Sequence, residues 1–272
     1  MTLPLSGPIS MTMITNELLV GQGSPVNIGS EPLRGLAEVP SGTISFSDFY
    51  GKENFTFPNG GFELGTLNGI TGSITSPTSE ELSGWVVYKG RIRLNGVDSI
   101  EGYPTPTDTS YPASAPSPAP GDNNGSTTAT FSAQFVTDKP AGSPGTRSIE
   151  LKSTGNTVSY GIVHGPYLVS AAAIELLEGY SVDLWWRATG GGDAYDAYAY
   201  MLNMDTGATI TMLNATGGSA TATTPWTNFT YTIGAAEEGN YKFVFIAGTY
   251  DFTGGQVVGA TLLVDDILVS KP

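Results

Sequence analysis

From Phe55 onward the chain is interrupted at roughly 8 to 15-residue intervals by Gly, Asn, Asp or Pro turn signals, and between them lie short runs in which apolar and polar residues alternate. Runs this short are too brief for stable helices, and each has one face to bury, so the economical solution is antiparallel strands stacked in two layers. Residues 128–136, 147–152, 180–187, 198–202, 226–233, 241–247 and 261–269 read as strands, and 157–160 starts another. The total of about nine to eleven strands predicts a mostly β protein built as a β-sandwich.

Some runs are ambiguous. Within 85–101, Val87 and then Ile92 and Leu94 stand between polar neighbours, which gives two strands. Residues 170–177 have a helical composition but are short. They end at Glu178-Gly179 and lead at once into Tyr180, Val182, Leu184 and Trp186 on one face, which favours a strand pair joined by a tight turn, with a helix left open. Asp205-Thr206-Gly207 signals a hairpin, and turns are expected at 238–240 and 254–255. The Pro-rich stretch 103–125 has almost nothing apolar after Tyr111 and reads as a long surface loop.

The first fifty residues differ. Pro and Gly breaks separate two short helical stretches, 11–20 with Met11, Ile14 and Leu18 on one side, and 30–39 with Ser30 as cap and Glu31 in the first turn before Pro40. Helices of this length are marginal alone, so the arm has little to bury and calls for a partner surface. Residues 42–52, G-T-I-S-F-S-D-F-Y-G-K, set Ile44, Phe46, Phe49 and Tyr50 along an extended edge that can press into a groove. A linker and a docking peptide are both open readings of that segment.

Composition removes several classes. The 25 acidic against 11 basic residues give a net charge of −14, which repels nucleic acid. There is no cysteine, hence no disulfide and no thiolate metal site. No run of 18 apolar residues marks a membrane insertion, and the first thirty residues lack the basic and apolar regions of a secretory signal. The single histidine, His164 in V-H-G-P-Y, is expected at a turn; without a second His or a Cys it makes no usual triad or two-His metal site unless acids supply the rest. No G-x-S-x-G elbow and no phosphate-binding loop is present, and Gly190-Gly191-Gly192 precedes a strand. Asp193, Asp196, Asp251, Glu63, Asp265 and Asp266 offer carboxylates without singling out a glycosidase pair, so no enzyme is expected. Among the aromatics Trp85, Trp185, Trp186, Trp226 and Tyr195, Trp185 faces away from Trp186, beside Asp183 and Arg187, and is the candidate glycan contact. Trp186, Tyr198 and Tyr200 read as core.

Two resemblances add to this. Ile9-Ser10-Met11, Ile14, Glu17-Leu18 and then 41–52, S-G-x-I-S-F-S-D-F-Y-G-K, resemble the leading segment of structural proteins from tailed-bacteriophage virions, especially tail, baseplate and fibre components. That implies a virion protein, made in the host cytoplasm, that docks on other virion proteins through an arm at 1–52 and self-associates as a trimer or a sixfold set. Residues 55–272, with Asn59-Gly60-Gly61-Phe62-Glu63, Gly84-Trp85 and the ending L-L-V-D-D-I-L-V, resemble the jelly roll of carbohydrate-binding modules. That implies a jelly-roll domain at 53–272 facing outward for a host-surface glycan or as a spacer. It also implies first and last strands that bring Glu63 and Asp265 together around a structural Ca²⁺; the alternative is a bulge at Asp265-Asp266 on an edge strand with Glu63 solvated. A capsid decoration protein, a stand-alone carbohydrate-binding module and a glycan depolymerase are the alternative functions.

Overall fold

Ser10 opens the N-terminal helix α1 (Met11–Glu17): its Oγ accepts the Met13 N–H at 3.3 Å and its carbonyl the Ile14 N–H at 3.1 Å. The structure is a computed structural model that describes residues 4, 6–17, 28, 33, 37, 42–50, 57–109, 128–156, 162–250 and 257–271. The chain divides into two units, 1–56 and 57–272.

The N-terminal unit has an apolar centre of its own, contrary to the expectation of an arm with little to bury. Ile14, Leu33, Ala37, Ile44 and Phe49 are buried against one another, with Ile9, Met11 and Ile28 packed around them. Leu33 and Ala37 are the described part of the second expected helix; Leu18 lies outside the described residues. The segment around Phe46 is also not an extended edge. Phe46–Phe49 form a single 3₁₀ turn, because the Asp48 carboxylate accepts the Ser45 N–H at 2.7 Å and the Asp48 N–H returns to the Ser45 carbonyl at 3.1 Å. The turn swings Phe49 inward, and the Tyr50 hydroxyl donates to the Gly7 carbonyl. Gly51 and Lys52 lie outside the described residues.

The second unit is a β-sandwich. Its strands are β1 (Gly72–Ser73), β2 (Thr78–Leu82), β3 (Trp85–Lys89), β4 (Ser99–Ile100), β5 (Tyr103–Pro104), β6 (Thr130–Val136), β7 (Ser148–Asn156), β8 (Ile162–Ser170), β9 (Ile174–Leu176), β10 (Ser181–Gly190), β11 (Ala194–Asn203), β12 (Thr209–Thr216), β13 (Thr227–Thr232), β14 (Gly239–Tyr250) and β15 (Val257–Ser270). A six-stranded sheet runs β1-β6-β7-β15-β10-β13, and a seven-stranded sheet runs β12-β11-β14-β8-β3-β2 with β9 added beside β14. The pairings are antiparallel. Alternation places Phe131, Ile149, Leu151, Val182, Leu184, Trp186, Leu262 and Val264 from one sheet, and Trp85, Val87, Leu168, Phe243 and Phe245 from the other, in the buried layer.

Two expectations change. The turn at Glu178-Gly179 exists, with the Tyr180 N–H on the Leu177 carbonyl at 3.1 Å, but β9 and β10 enter opposite sheets and do not pair. Residues 90–98 form no sheet strand either. Ile92, Leu94 and Ile100 lie across the outer face of the seven-stranded sheet, buried on Val169, Tyr198, Tyr200, Leu202, Val244 and Ile246. The segment is fastened by a backbone bond from the Ile92 N–H to the His164 carbonyl at 3.0 Å and by the Tyr103 hydroxyl to the Met204 carbonyl at 2.7 Å. Residues 103–109 of the expected loop therefore belong to this packed cover, and 110–125, like 157–160 and the turn at 254–255, lie outside the described residues.

Candidate functional site

The register of the seven-stranded sheet builds one cross-strand row on its outer face. Ser79 pairs with Tyr88, Tyr88 with Tyr167, Tyr167 with Ile246, and Ile246 with Tyr198. The 90–109 segment covers Ile246 and Tyr198, while Tyr88 and Tyr167 stay half-buried beyond its edge. Their rings stack at 4.8 Å between centroids and 11° between planes. A cavity of about 350 Å³ opens there, lined by Pro77, Thr78, Ser79, Tyr88, Gly90, Arg91 and Tyr167. Burial first, and then Tyr88, pushes the Tyr167 hydroxyl up to about 12, so it remains a hydrogen-bond donor at neutral pH. Flat rings, hydroxyls and a guanidinium at one opening form a surface suited to a polar ring-shaped ligand.

Deeper under the cover, His164 is not at a turn. It lies within β8 and is fully buried, with Nε2 3.3 Å from Asp108 Oδ2 and 3.3 Å from Asp196 Oδ2, both carboxylates being fully buried too. Burial pulls the imidazolium pKa down, but the two carboxylates overcome this and raise it to about 9; burial in turn raises Asp196. The trio spans the cover, β8 and β11, and no short motif links its members.

On the six-stranded sheet, the Ile267 N–H of β15 bonds to the Gly60 carbonyl at 3.1 Å, and a Cβ on Gly60 would stand 1.9 Å from the Ile267 oxygen. On the same side, Glu63 lies close enough for its charge to act on Asp265. Glu63 is exposed and accepts from the Thr146 N–H and hydroxyl, both at 2.7 Å, and from the Arg147 N–H at 3.1 Å. Burial acts to raise its pKa, yet these donors hold it below the usual carboxylate value. Asp265 is fully buried in β15, an inner strand rather than an edge. Its Oδ2 is 3.4 Å from the Ser143 hydroxyl, and Oδ1 has no hydrogen-bond partner among the described residues. Burial is the first cause that pushes its pKa up to about 7, with Asp266 and Glu63 adding to it. Asp266 has a φ of 47°, the left-handed kink of a bulge.

The other expected site residues are dispersed. Trp185 is half-buried on the six-stranded sheet, opposite Asn228 in register, and takes no part in the tyrosine-lined cavity on the other sheet. Trp85 is buried in the core. Of the four expected docking residues, Ile44 and Phe49 are committed to the N-terminal unit's own centre, and Phe46 is the exposed ring at 43%. Tyr88 and Tyr167 escaped notice, although Tyr88 in W-V-V-Y-K alternates with the core residues Trp85 and Val87.

No protein-family model matches the chain, and no curated protein matches it. Among solved structures, a carbohydrate-binding module of the β-sandwich superfamily aligns over 72% of this chain and 75% of its own, at 16% identity and a TM-score of 0.33. A module solved with β-1,4-galactotriose aligns over 52% and 82%, at 13% identity and a TM-score of 0.33. The enzymatically active domain of bacteriophage CBA120 tailspike protein 4 aligns over 54% of this chain and 18% of its own, at 13% identity and a TM-score of 0.31. No residue of this chain takes a role from these likenesses.

Proposed function

We propose that the protein is a structural component of a tailed-phage virion whose β-sandwich binds a glycan through Ser79, Tyr88, Arg91 and Tyr167. The observation that carries the binding part is the stacked tyrosine pair at an open cavity on a face whose centre is covered by residues 90–109. Such a site holds a sugar by ring stacking and hydroxyl contacts, so it is read as a binding site and not a catalytic one. Its test is a glycan array on the purified protein. Tyr88→Ala is expected to weaken the binding of any hit by about tenfold or more, about 1.4 kcal/mol, while Trp185→Ala leaves it unchanged. The reverse pattern would move the site to the six-stranded sheet.

The virion placement rests on the S-G-x-I-S-F-S-D-F-Y-G-K segment. In this reading the N-terminal unit joins other tail or baseplate subunits, or further copies of this chain, with Phe46 as its exposed apolar anchor. Deleting residues 1–52 is expected to leave a folded β domain that no longer incorporates into particles, and Phe46→Asp to reduce incorporation with the protein still folded. Normal copy number of the truncated protein in purified particles would refute the docking role.

A structural Ca²⁺ belongs to the same proposal. Glu63 and Asp265 would hold it, the buried Oδ1 of Asp265 being the oxygen best suited, and the ion would supply charge neutralisation for that carboxylate. Calcium at a hundred times its Kd is expected to raise stability by about 2.7 kcal/mol. Thermal melts with and without the ion check this, and Asp265→Asn should erase the difference.

A further inference from the structure

We propose that Asp108 Oδ2, His164 Nε2 and Asp196 Oδ2 form a structural site for a first-row divalent cation of the zinc class, which fastens the 90–109 segment to the outer face of the seven-stranded sheet. The donor atoms carry the argument. One imidazole nitrogen and two carboxylate oxygens lie within 4.8 Å of one another, and the nitrogen is 3.3 Å from each oxygen. Ligands about 2.0 to 2.1 Å from Zn²⁺ at tetrahedral angles stand about 3.3 Å apart. An imidazole with two carboxylates suits Zn²⁺ or Mn²⁺ better than Ca²⁺, which takes oxygen alone.

The surroundings hold these atoms in place. The other oxygen of Asp196 accepts from the Thr216 hydroxyl at 3.2 Å, which turns Oδ2 toward the histidine, as an outer-shell partner turns a metal ligand. Gly248 leaves the ring its room: a Cβ there would lie 2.6 Å from His164 Cδ2 and 2.3 Å from the Asp196 carbonyl oxygen. Charge points the same way. Two carboxylates and a neutral imidazole, all fully buried, sum to −2, which a divalent ion cancels. Asp108 arrives from the cover and the other two ligands from β8 and β11, so occupancy would join elements far apart in sequence.

The test uses the full-length protein, stripped with chelator and re-equilibrated with Zn²⁺. Elemental analysis after gel filtration is expected to find about one tightly held zinc per chain. His164→Gln and Asp108→Asn should each lose it, and circular dichroism checks that they remain folded. Hydrogen exchange should slow at amides 91–109 on zinc addition in the wild type and not in the variants. Should both variants fail to fold, anomalous scattering at the zinc edge from wild-type crystals decides, with a peak expected among the three donor atoms. No retained zinc in the wild type, zinc retained by a folded variant, or a peak elsewhere would overturn the site and leave a buried imidazolium between carboxylates.

Discussion

Glu80→Ala is expected to lower the stability of the β-sandwich by about 3 to 5 kcal/mol, the cost of stranding a buried ammonium. Lys89 is the inward-facing residue at the end of β3, its side chain 1% exposed and that of Glu80 9%. Its Nζ donates to Glu80 Oε2 at 2.5 Å and to the Ile70 carbonyl at 2.6 Å, while Glu80 Oε1 accepts the Asn68 N–H. Removing the carboxylate leaves the cation one carbonyl and frees the Asn68 amide, so the 68–70 segment keeps only the Lys89 bond to the Ile70 carbonyl of these two attachments to the β2–β3 hairpin. The pair itself is a different matter, because two charges were taken out of water to make it. Lys89→Met combined with Glu80→Leu is expected to recover most of the loss, as apolar replacements of buried pairs often do. Urea unfolding of the single and double variants measures both. A single variant within about 1 kcal/mol of the parent would mean that water reaches Lys89 in solution.

What could be read from the chain follows the range of the forces involved. Strand period is local, so Val182, Leu184 and Trp186 on one face, or the β14 run through Tyr241 and Phe243, declared themselves. Sheet membership is not local. The turn at Glu178-Gly179 looks the same whether β9 and β10 pair or part, and the choice is made by β14 and β15, far along the chain. Ile92 and Leu94 alternate like a sheet strand because they too have one face to bury, but they bury it on Tyr198 and Tyr200 from outside the sheet. The buried trio left a fainter trace. Asp196 is the one charge in a largely apolar strand, and His164 follows the β-branched pair Ile162-Val163; both are costly to bury without partners. Asp108 gave no such trace, since its stretch is polar and Pro-rich throughout. In the N-terminal unit, Ser45 and Asp48 at capping-box spacing already spelled a turn at Phe46, and the alternation of Ile44 with Phe46 obscured it.

Trp85→Ala should cost a further few kcal/mol, about 3 to 5, and it tests whether the opening motif and the first hairpin are one packing unit. Trp85 is fully buried, its ring centroid 5.5 Å from Phe57, 5.4 Å from Phe62 and 6.0 Å from Phe245, with Nε1 donating to the Asn59 carbonyl at 3.2 Å. Asn59 in turn donates to the Leu64 carbonyl at 3.0 Å and the Ser83 carbonyl at 2.8 Å, the latter one residue before the Gly84 turn. The N-x-G-F-E and G-W motifs therefore meet around a single indole. Truncating it opens a cavity between the sheets and removes the donor that Asn59 faces, so both ends of the brace loosen together. Trp85→Phe keeps most of the volume and should cost clearly less, whereas Trp185→Ala, on a half-buried outer position, should stay within about 1 kcal/mol. Calorimetric melts of the three variants rank them. Equal losses for Trp85→Ala and Trp185→Ala would show that the six-stranded sheet depends on its outer face as much as on the shared core.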